Sequence, residues 1–344
     1  MPTATIDFTL ASFAMIVLVL GAIFGVNIVV SPYIEENSHN PERYYQIGKY
    51  MLLSQGEPSK WGTGSTPSNL GFAREGDPYD LDIDKVTRLN ALNAQALNYS
   101  TAWLALGIDD VSFHIEVGTL FDISLNSSSS QAQGDDTIYT FSASTKRDGY
   151  PLQCQVSYYV AIRNSTYSNS GSTDGSGSGS VQFTLPNSQN GEAILIGIAR
   201  AEESIFGYDV LPFAHNSSSP HQSGAFASLS PLNYTLNADL TTGATAWNAA
   251  VFSHSYSFNL TADGSDYTIP RLLDGSPMIL TLTGVNGSAY WAEWVSYPQV
   301  PLEMGADMSD DYVISDVNLV SYTVEIKGGL YRFEIKFRSP AEYD

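Results

Sequence analysis

Two runs of the chain crowd carboxylates closely enough to suggest a hard cation. One is DPYDLDID, with Asp77, Asp80, Asp82 and Asp84; the other is ADMSDDYVISD, with Asp307, Asp310, Asp311 and Asp316. Calcium takes roughly six to eight oxygens on a loop that turns them inward. The first run lacks the turn glycine of an EF-hand and leads into a helix, whose N-terminus attracts carboxylates anyway. The second is more loop-like and reads first as a plain solvated loop, so no metal site is assigned, with Asp307, Asp310 and Asp311 the candidates if it does hold a cation. Of the five histidines, His39, His114, His215, His221 and His254, no two stand at H-E-x-x-H spacing. His114 sits in an alternating strand pattern and is expected to face solvent. No G-x-S-x-G elbow, Walker loop or dinucleotide fingerprint occurs, and GTGSTPSNLG lacks the lysine of a phosphate loop. No catalytic residue is assigned and no cofactor is expected; a Ser/His/Asp set assembled from distant positions remains an alternative. Tyr290, Trp291, Trp294 and Tyr297 form either a sugar-binding platform or core packing.

Asn-x-Ser/Thr sequons begin at Asn98, Asn126, Asn164, Asn216, Asn233, Asn259 and Asn286, the pattern of an exported chain carrying N-linked glycan on surface loops. A formal charge of −21 repels nucleic acid and anionic headgroups alike. The single Cys154 cannot form an internal disulfide.

The elements that must hold these residues start from FTLASFAMIVLVLGAIFGVNIVV, Phe8 to Val30, which has no charge in twenty-three residues. As a helix it would be roughly 34 Å long, enough to cross a bilayer core. Within it Gly21 and Gly25 form G-x-x-x-G, and Ala14 lies on the same face, so two such helices could approach closely. Pro32 ends or kinks the run. Asn40-Pro41 starts a second helix with Tyr44, Ile47 and Met51 on one face, and a third begins near Asp82 or Asp84 and runs past Trp103 to Gly107. From Asp109 onward the apolar period becomes two. Strands are expected around Val111–Val117, Cys154–Ile162 and Val181–Leu185, with AILIGIA from Ala193 buried on both faces. NSSSSQAQGDD, NSTYSNSGSTDGSGSGS and NSSSPHQSG read as exposed loop tips. A closing hairpin sets Val320, Tyr322, Val324 and Ile326 against Tyr331, Phe333, Ile335 and Phe337 across Gly328-Gly329. The expected fold is α+β: a long N-terminal hydrophobic helix (1–34), a helical neck (35–107), and a large all-β, β-sandwich and Ig-like head in two regions (108–205 and 206–344).

An uncharged leading segment, a neck containing YMLLSQGEPSKWG and LGFAREGDPYDLDIDKVTRLN, a sequon-rich β head and no disulfide together resemble archaeal type IV pilins and related archaellin-like filament subunits. The likeness covers the first 110 residues and the final hairpin. It implies a structural subunit, not an enzyme, that waits in the membrane and is then assembled by a pilus machinery. Its N-terminal helices would bundle with those of other copies, while the glycosylated head forms the outer surface for adhesion or cell contact. MPTATID departs from the family, whose leader is basic. The alternatives are a single-span receptor or adhesin binding sugar, peptide or cation, and a membrane-tethered hydrolase.

Overall fold

The structure, a computed structural model, describes residue 15 and residues 41–216, 226–308 and 317–338. The chain divides into two compact units, Met1–Gln46 and Ile47–Asp344. Of the run 8–30 only the helical, exposed Met15 is described, so Ala14, Gly21 and Gly25 lie outside the described residues. The other described α-helices are short: α1 (Pro41–Leu53), α2 (Ile83–Thr87) and α3 (Tyr99–Leu106). Among the described residues no helix is long and apolar enough to cross a membrane. The expected α+β class with a long apolar helix is therefore corrected. The described chain is predominantly β, because its buried side chains meet mainly between sheets rather than between a helix and a sheet.

The helices begin where their caps dictate. Pro41 opens α1 with Glu42 in its first turn, and Ile47, Met51 and Leu52 are buried. The Asp82 side chain caps α2 by accepting from the backbone N–H of Asp84 and Lys85. Asn98 caps α3 through Thr101 N–H, and Gly107 ends it in the left-handed conformation. The single helix expected from Asp82 or Asp84 to Trp103 is two. Asn90 Oδ1 accepts from Leu92 N–H at 2.9 Å and Asn93 Oδ1 from Gln95 N–H at 2.8 Å, so both asparagines give the backbone turns that compete with a helix.

Five sheets, numbered I to V, make up the rest. Sheet I has the order β1 (Ala73–Arg74), β2 (Asp77–Leu81), β21 (Val317–Ile326), β22 (Gly329–Arg338), β3 (Ser112–Thr119) and β20 (Leu302–Gly305). It joins early and late parts of the chain, since β2 runs parallel to β21 and β3 antiparallel to β22. Its inner face takes Phe72 against Phe333 at 5.7 Å and Tyr99 against Phe113 at 5.1 Å. The expected hairpin is present with the same faces paired, but its register is shifted by two, with Val324 opposite Tyr331 and Tyr322 opposite Phe333 where a Gly328-Gly329 turn would set Val324 opposite Phe333. Its turn is Lys327-Gly328, one residue earlier than expected, and both residues have positive φ.

Sheet II contains β4 (Asp122–Gln133) and β5 (Asp136–Arg147), with β6 (Tyr150–Pro151) and β9 (Ser178–Pro186) beside β5. Sheet III runs β11 (Ile205–His215), β10 (Gly191–Glu202), β7 (Gln155–Ile162), β8 (Ser165–Ser172), so Phe206 falls inside a strand paired to β10. Sheet IV runs β12 (Ala227–Leu232), β13 (Thr235–Leu240), β17 (Asp266–Thr268), β16 (Thr261–Asp263), and sheet V runs β15 (Ser257–Asn259), β14 (Ala244–Phe252), β18 (Met278–Asn286), β19 (Ala289–Tyr297).

Sheet III lies between two cores, which makes the body a layered β-sandwich. One face of β10 sends Ala193, Leu195 and Ala199 among Phe141, Val160 and Phe183, against sheet II. The other sends Ile194, Ile196 and Ile198 among Phe252, Ile279 and Ala292, against sheet V. A strand buried on both faces needs apolar residues without alternation, as AILIGIA has. Phe226 stacks on Trp291 at 6.2 Å and Tyr234 meets Tyr297 edge-on at 5.5 Å, bringing the sheet IV region against sheet V. Gly284 is required in β18, because a Cβ there would lie 2.1 Å from the Thr245 carbonyl oxygen. Two tracts expected as loops are strands instead: Asn126–Gln133 lies in β4 and Ser165–Ser172 forms β8. The third, after Asn216, falls largely outside the described residues.

Candidate functional site

The first acidic run is taken apart by the fold. Asp82 is spent on the α2 cap. Asp84 is buried and accepts from Tyr297 Oη at 2.6 Å and from Asn233 N–H at 2.7 Å, so it ties α2 to the β12–β13 turn and to the end of β19. Burial raises the Asp84 carboxyl above its ordinary range, and burial together with the Asp84 charge pushes the Tyr297 phenol up. Nearby, Asn93 Nδ2 donates to Pro231 O at 3.0 Å and to Gln299 Oε1 at 3.1 Å. Tyr297→Phe removes a donor from a buried carboxylate and is expected to cost about 1–3 kcal/mol, read as a lower urea midpoint at unchanged m-value.

Asp77 and Asp80 both pair with Arg74 Nη2, at 2.7 and 2.6 Å. Asp80 is buried and its Oδ1 has no hydrogen-bond partner. Burial, opposed by Arg74 and reinforced by Glu325 and Asp77, pushes its carboxyl up to about 6. Because the folded carboxyl holds its proton more tightly than the unfolded one, that stabilisation is present below about pH 4 and lost as pH rises through about 6. The Tm of Asp80→Asn minus that of wild type is expected to grow between about pH 4 and pH 7. A flat difference contradicts this.

Two buried cations close the neck. Lys85 Nζ donates to Gln55 O at 2.8 Å and Ala73 O at 2.9 Å, and its pKa is lowered by burial. Arg88 donates to the carbonyls of Gln95, Ser65 and Trp61. Both cations lie near the Trp61 ring, Arg88 Cζ at 5.6 Å and Lys85 Nζ at 6.0 Å from its centroid. Sequence reasoning missed this arrangement, for which D-x-x-K-x-x-R at a helix start was the only signal.

Of the second acidic run, Asp307 is described and exposed, while Asp310, Asp311 and Asp316 lie outside the described residues. Asp307 shares an open cleft of about 610 Å³ with His114, Glu116, Glu303 and Lys336. Lys336 pairs with Glu116, and His114 Nδ1 lies 3.0 Å from Ala306 O. Among the described residues no three His, Cys, Asp or Glu side chains are grouped to hold a metal ion.

Strand alternation splits the aromatic cluster. Trp291 and Tyr297 are buried on the sheet IV side of β19, whereas Tyr290 and Trp294 point the other way. Trp294, set edge-on to Tyr208 at 6.5 Å, lines a cleft of about 450 Å³ with Leu92, Leu229 and Gln299. Tyr290 carries the Arg163 guanidinium 3.8 Å from its ring centroid. Ser, His and Asp do meet, at Ser253, His254, Asp274 and Ser276. Asp274 Oδ2 accepts from Ser253 Oγ at 3.0 Å and Ser276 Oγ at 2.9 Å, while His254 Nε2 has no partner. The hydrogen bond from nucleophile to base that acyl transfer requires is missing. His215 is buried between Tyr139 Oη and Pro186 O, each at 3.0 Å.

The sequons are displayed. Asn98, Asn126, Asn164, Asn216, Asn233 and Asn259 are exposed, and Asn286 is partly exposed.

No family model matches the chain, and no curated protein matches it. Among solved structures it is similar to the FN1-FN3 domains of chicken CNTN1 at 6% identity, covering 52% of this chain and 67% of that one with a TM-score of 0.20. It is also similar to red sea bream transglutaminase at 8% identity, covering 52% of this chain and 31% of that one, with a TM-score of 0.20. The third is human GIVD cytosolic phospholipase A2, at 8% identity, 67% and 33% coverage and a TM-score of 0.15. The chain thus spans about a third of the length of the latter two enzymes.

Proposed function

We propose that the chain is a structural subunit of an extracellular filament of the type IV pilus kind, with its layered β body on the outer surface and N-linked glycan displayed from it. The observation that carries this reading is the union, in one chain, of an uncharged twenty-three-residue run at 8–30 with a β body whose sequon asparagines are exposed or partly so. The polar clusters of the body support a scaffold. Asp84 spends its hydrogen bonds on tying the neck to the β12–β13 turn and the end of β19, and Lys85 and Arg88 spend theirs on carbonyls within the neck. The partners in this reading are other copies of the chain, the membrane before assembly, and a pilus assembly machinery. Electron microscopy of native surface preparations, with the subunit identified in the fibres by mass spectrometry, tests it.

A second reading, a membrane-held adhesin or receptor, is favoured by the cleft beside Trp294 and Tyr208. On that reading the isolated body binds a sugar or peptide, Trp294→Ala abolishes the binding, and no fibres form.

A further inference from the structure

Five of the seven sequon asparagines lie on, or at the end of, a strand that ends the order of its sheet among the described residues. Asn126 is within β4 and Asn259 is the last residue of β15. Asn216 follows β11 directly and Asn233 follows β12. Asn164 precedes β8 directly. β4, β15, β11, β12 and β8 are all end strands in the order of their sheets, whereas β18 is an inner strand paired with both β14 and β19. Of the other two, Asn98 caps a helix and Asn286 closes the inner strand β18.

An open edge presents unpaired N–H and C=O groups to any other strand, and proteins commonly blunt it with lysine, proline or a bulge. In sheets II to V no edge strand contains Lys or Arg; β11 and β12 carry Pro212 and Pro231, and β4 has a bulge between Ser127 and Ser129, but β8 and β15 have none of these devices. β8 has neither charge nor proline in eight residues, and β4 has none from Ile123 to Gln133, with Asn126–Gln133 exposed throughout. Sheet I is defended differently. Its edge strands carry Arg74 and Glu303, and it holds no sequon.

We propose that N-linked oligosaccharide on Asn126, Asn164 and Asn259 is the edge protection of β4, β8 and β15, keeping copies of the chain from pairing strand to strand where they are crowded together. The linkage forms between Asn Nδ2 and the anomeric carbon of a diphosphate-activated oligosaccharide. The anomeric C–O bond breaks, the diphosphate leaves with its electrons, and Nδ2 releases one proton. A hydrated glycan rooted on the edge then occupies the space a second strand would need. The proposal rests on the exported reading above, yet it is read out by association of the chain and not by filament formation.

The full chain is to be purified in detergent from its native host as wild type, as the triple variant Ser128→Ala, Thr166→Ala, Thr261→Ala, and as Ser100→Ala. The triple variant removes the edge sequons at Asn126, Asn164 and Asn259 through exposed hydroxyl residues, and Ser100→Ala removes only the helix sequon at Asn98. Glycopeptide mapping is expected to find the edge sites occupied. Light scattering is expected to show the triple variant losing its monodisperse peak to large assemblies, with added cross-strand amide I signal, while Ser100→Ala stays monodisperse and the melting curves of all three coincide. Unoccupied edge sites, a monodisperse triple variant, or equal aggregation of Ser100→Ala would each overturn the proposal.

Discussion

Trp61→Ala is expected to destabilise the body by about 4 kcal/mol, a large share of the roughly 5–15 kcal/mol that holds a domain folded. The side chain is fully buried, meets Phe72 edge-on at 5.9 Å, and donates from Nε1 to Gly71 O at 2.9 Å. Truncation leaves a cavity, strands the Gly71 carbonyl, and takes the aromatic face away from Lys85 and Arg88, whose charges have already been drawn out of water. The loop from Gln55 to Ala73 is held by these contacts, so its hydrogen-exchange protection is expected to fall before that of β7 or β10. Urea unfolding of Trp61→Ala and of Trp61→Phe separates the terms. Phenylalanine restores much of the packing and both cation contacts but not the Nε1 hydrogen bond. A loss below about 1 kcal/mol for Trp61→Ala would show that the neck does not depend on this ring.

Deleting residues 1–34 is expected to abolish fibres completely while leaving the body folded. The unit Ile47–Asp344 is compact by itself, and the cores on the two faces of sheet III contain, among the described residues, none before Phe121. The truncated chain should therefore melt within a few degrees of the full one. Cohesion between copies in the proposed filament comes from the uncharged run, which a β body carrying most of a −21 charge cannot replace by contacts of its own. Fibres assembled from the truncated chain would place the cohesive contacts in the body.

Much of the fold could be read from local pattern, and the misses have physical causes. The two-faced burial of β10 and the pairing of β21 with β22 were legible because apolar period alone specifies them. Helix starts were legible where a cap stood in the sequence, as at Pro41 and Asp82. β8 was not. All of its residues are polar, glycine or tyrosine, and it is a strand because β7 supplies a complete ladder of backbone partners. The break after Thr87 was missed for the opposite reason, since Asn90 and Asn93 have partners more than a hundred positions away, at Gln299 and Pro231. The aromatic cluster at 290–297 was close in sequence and divided in space, because successive strand residues face opposite sides. The sequons were visible as motifs, but that Asn126, Asn164 and Asn259 lie on or next to end strands could be seen only once the strand order was known.

The most direct measurement is cryo-electron microscopy of filaments taken from the native cell surface, with the chain identified by mass spectrometry. The account predicts a helical fibre in which the layered β body repeats on the outside and the segment 8–30 of each copy is enclosed by neighbouring copies. A chain found only as single copies in membrane, with no fibre containing it, would contradict the account.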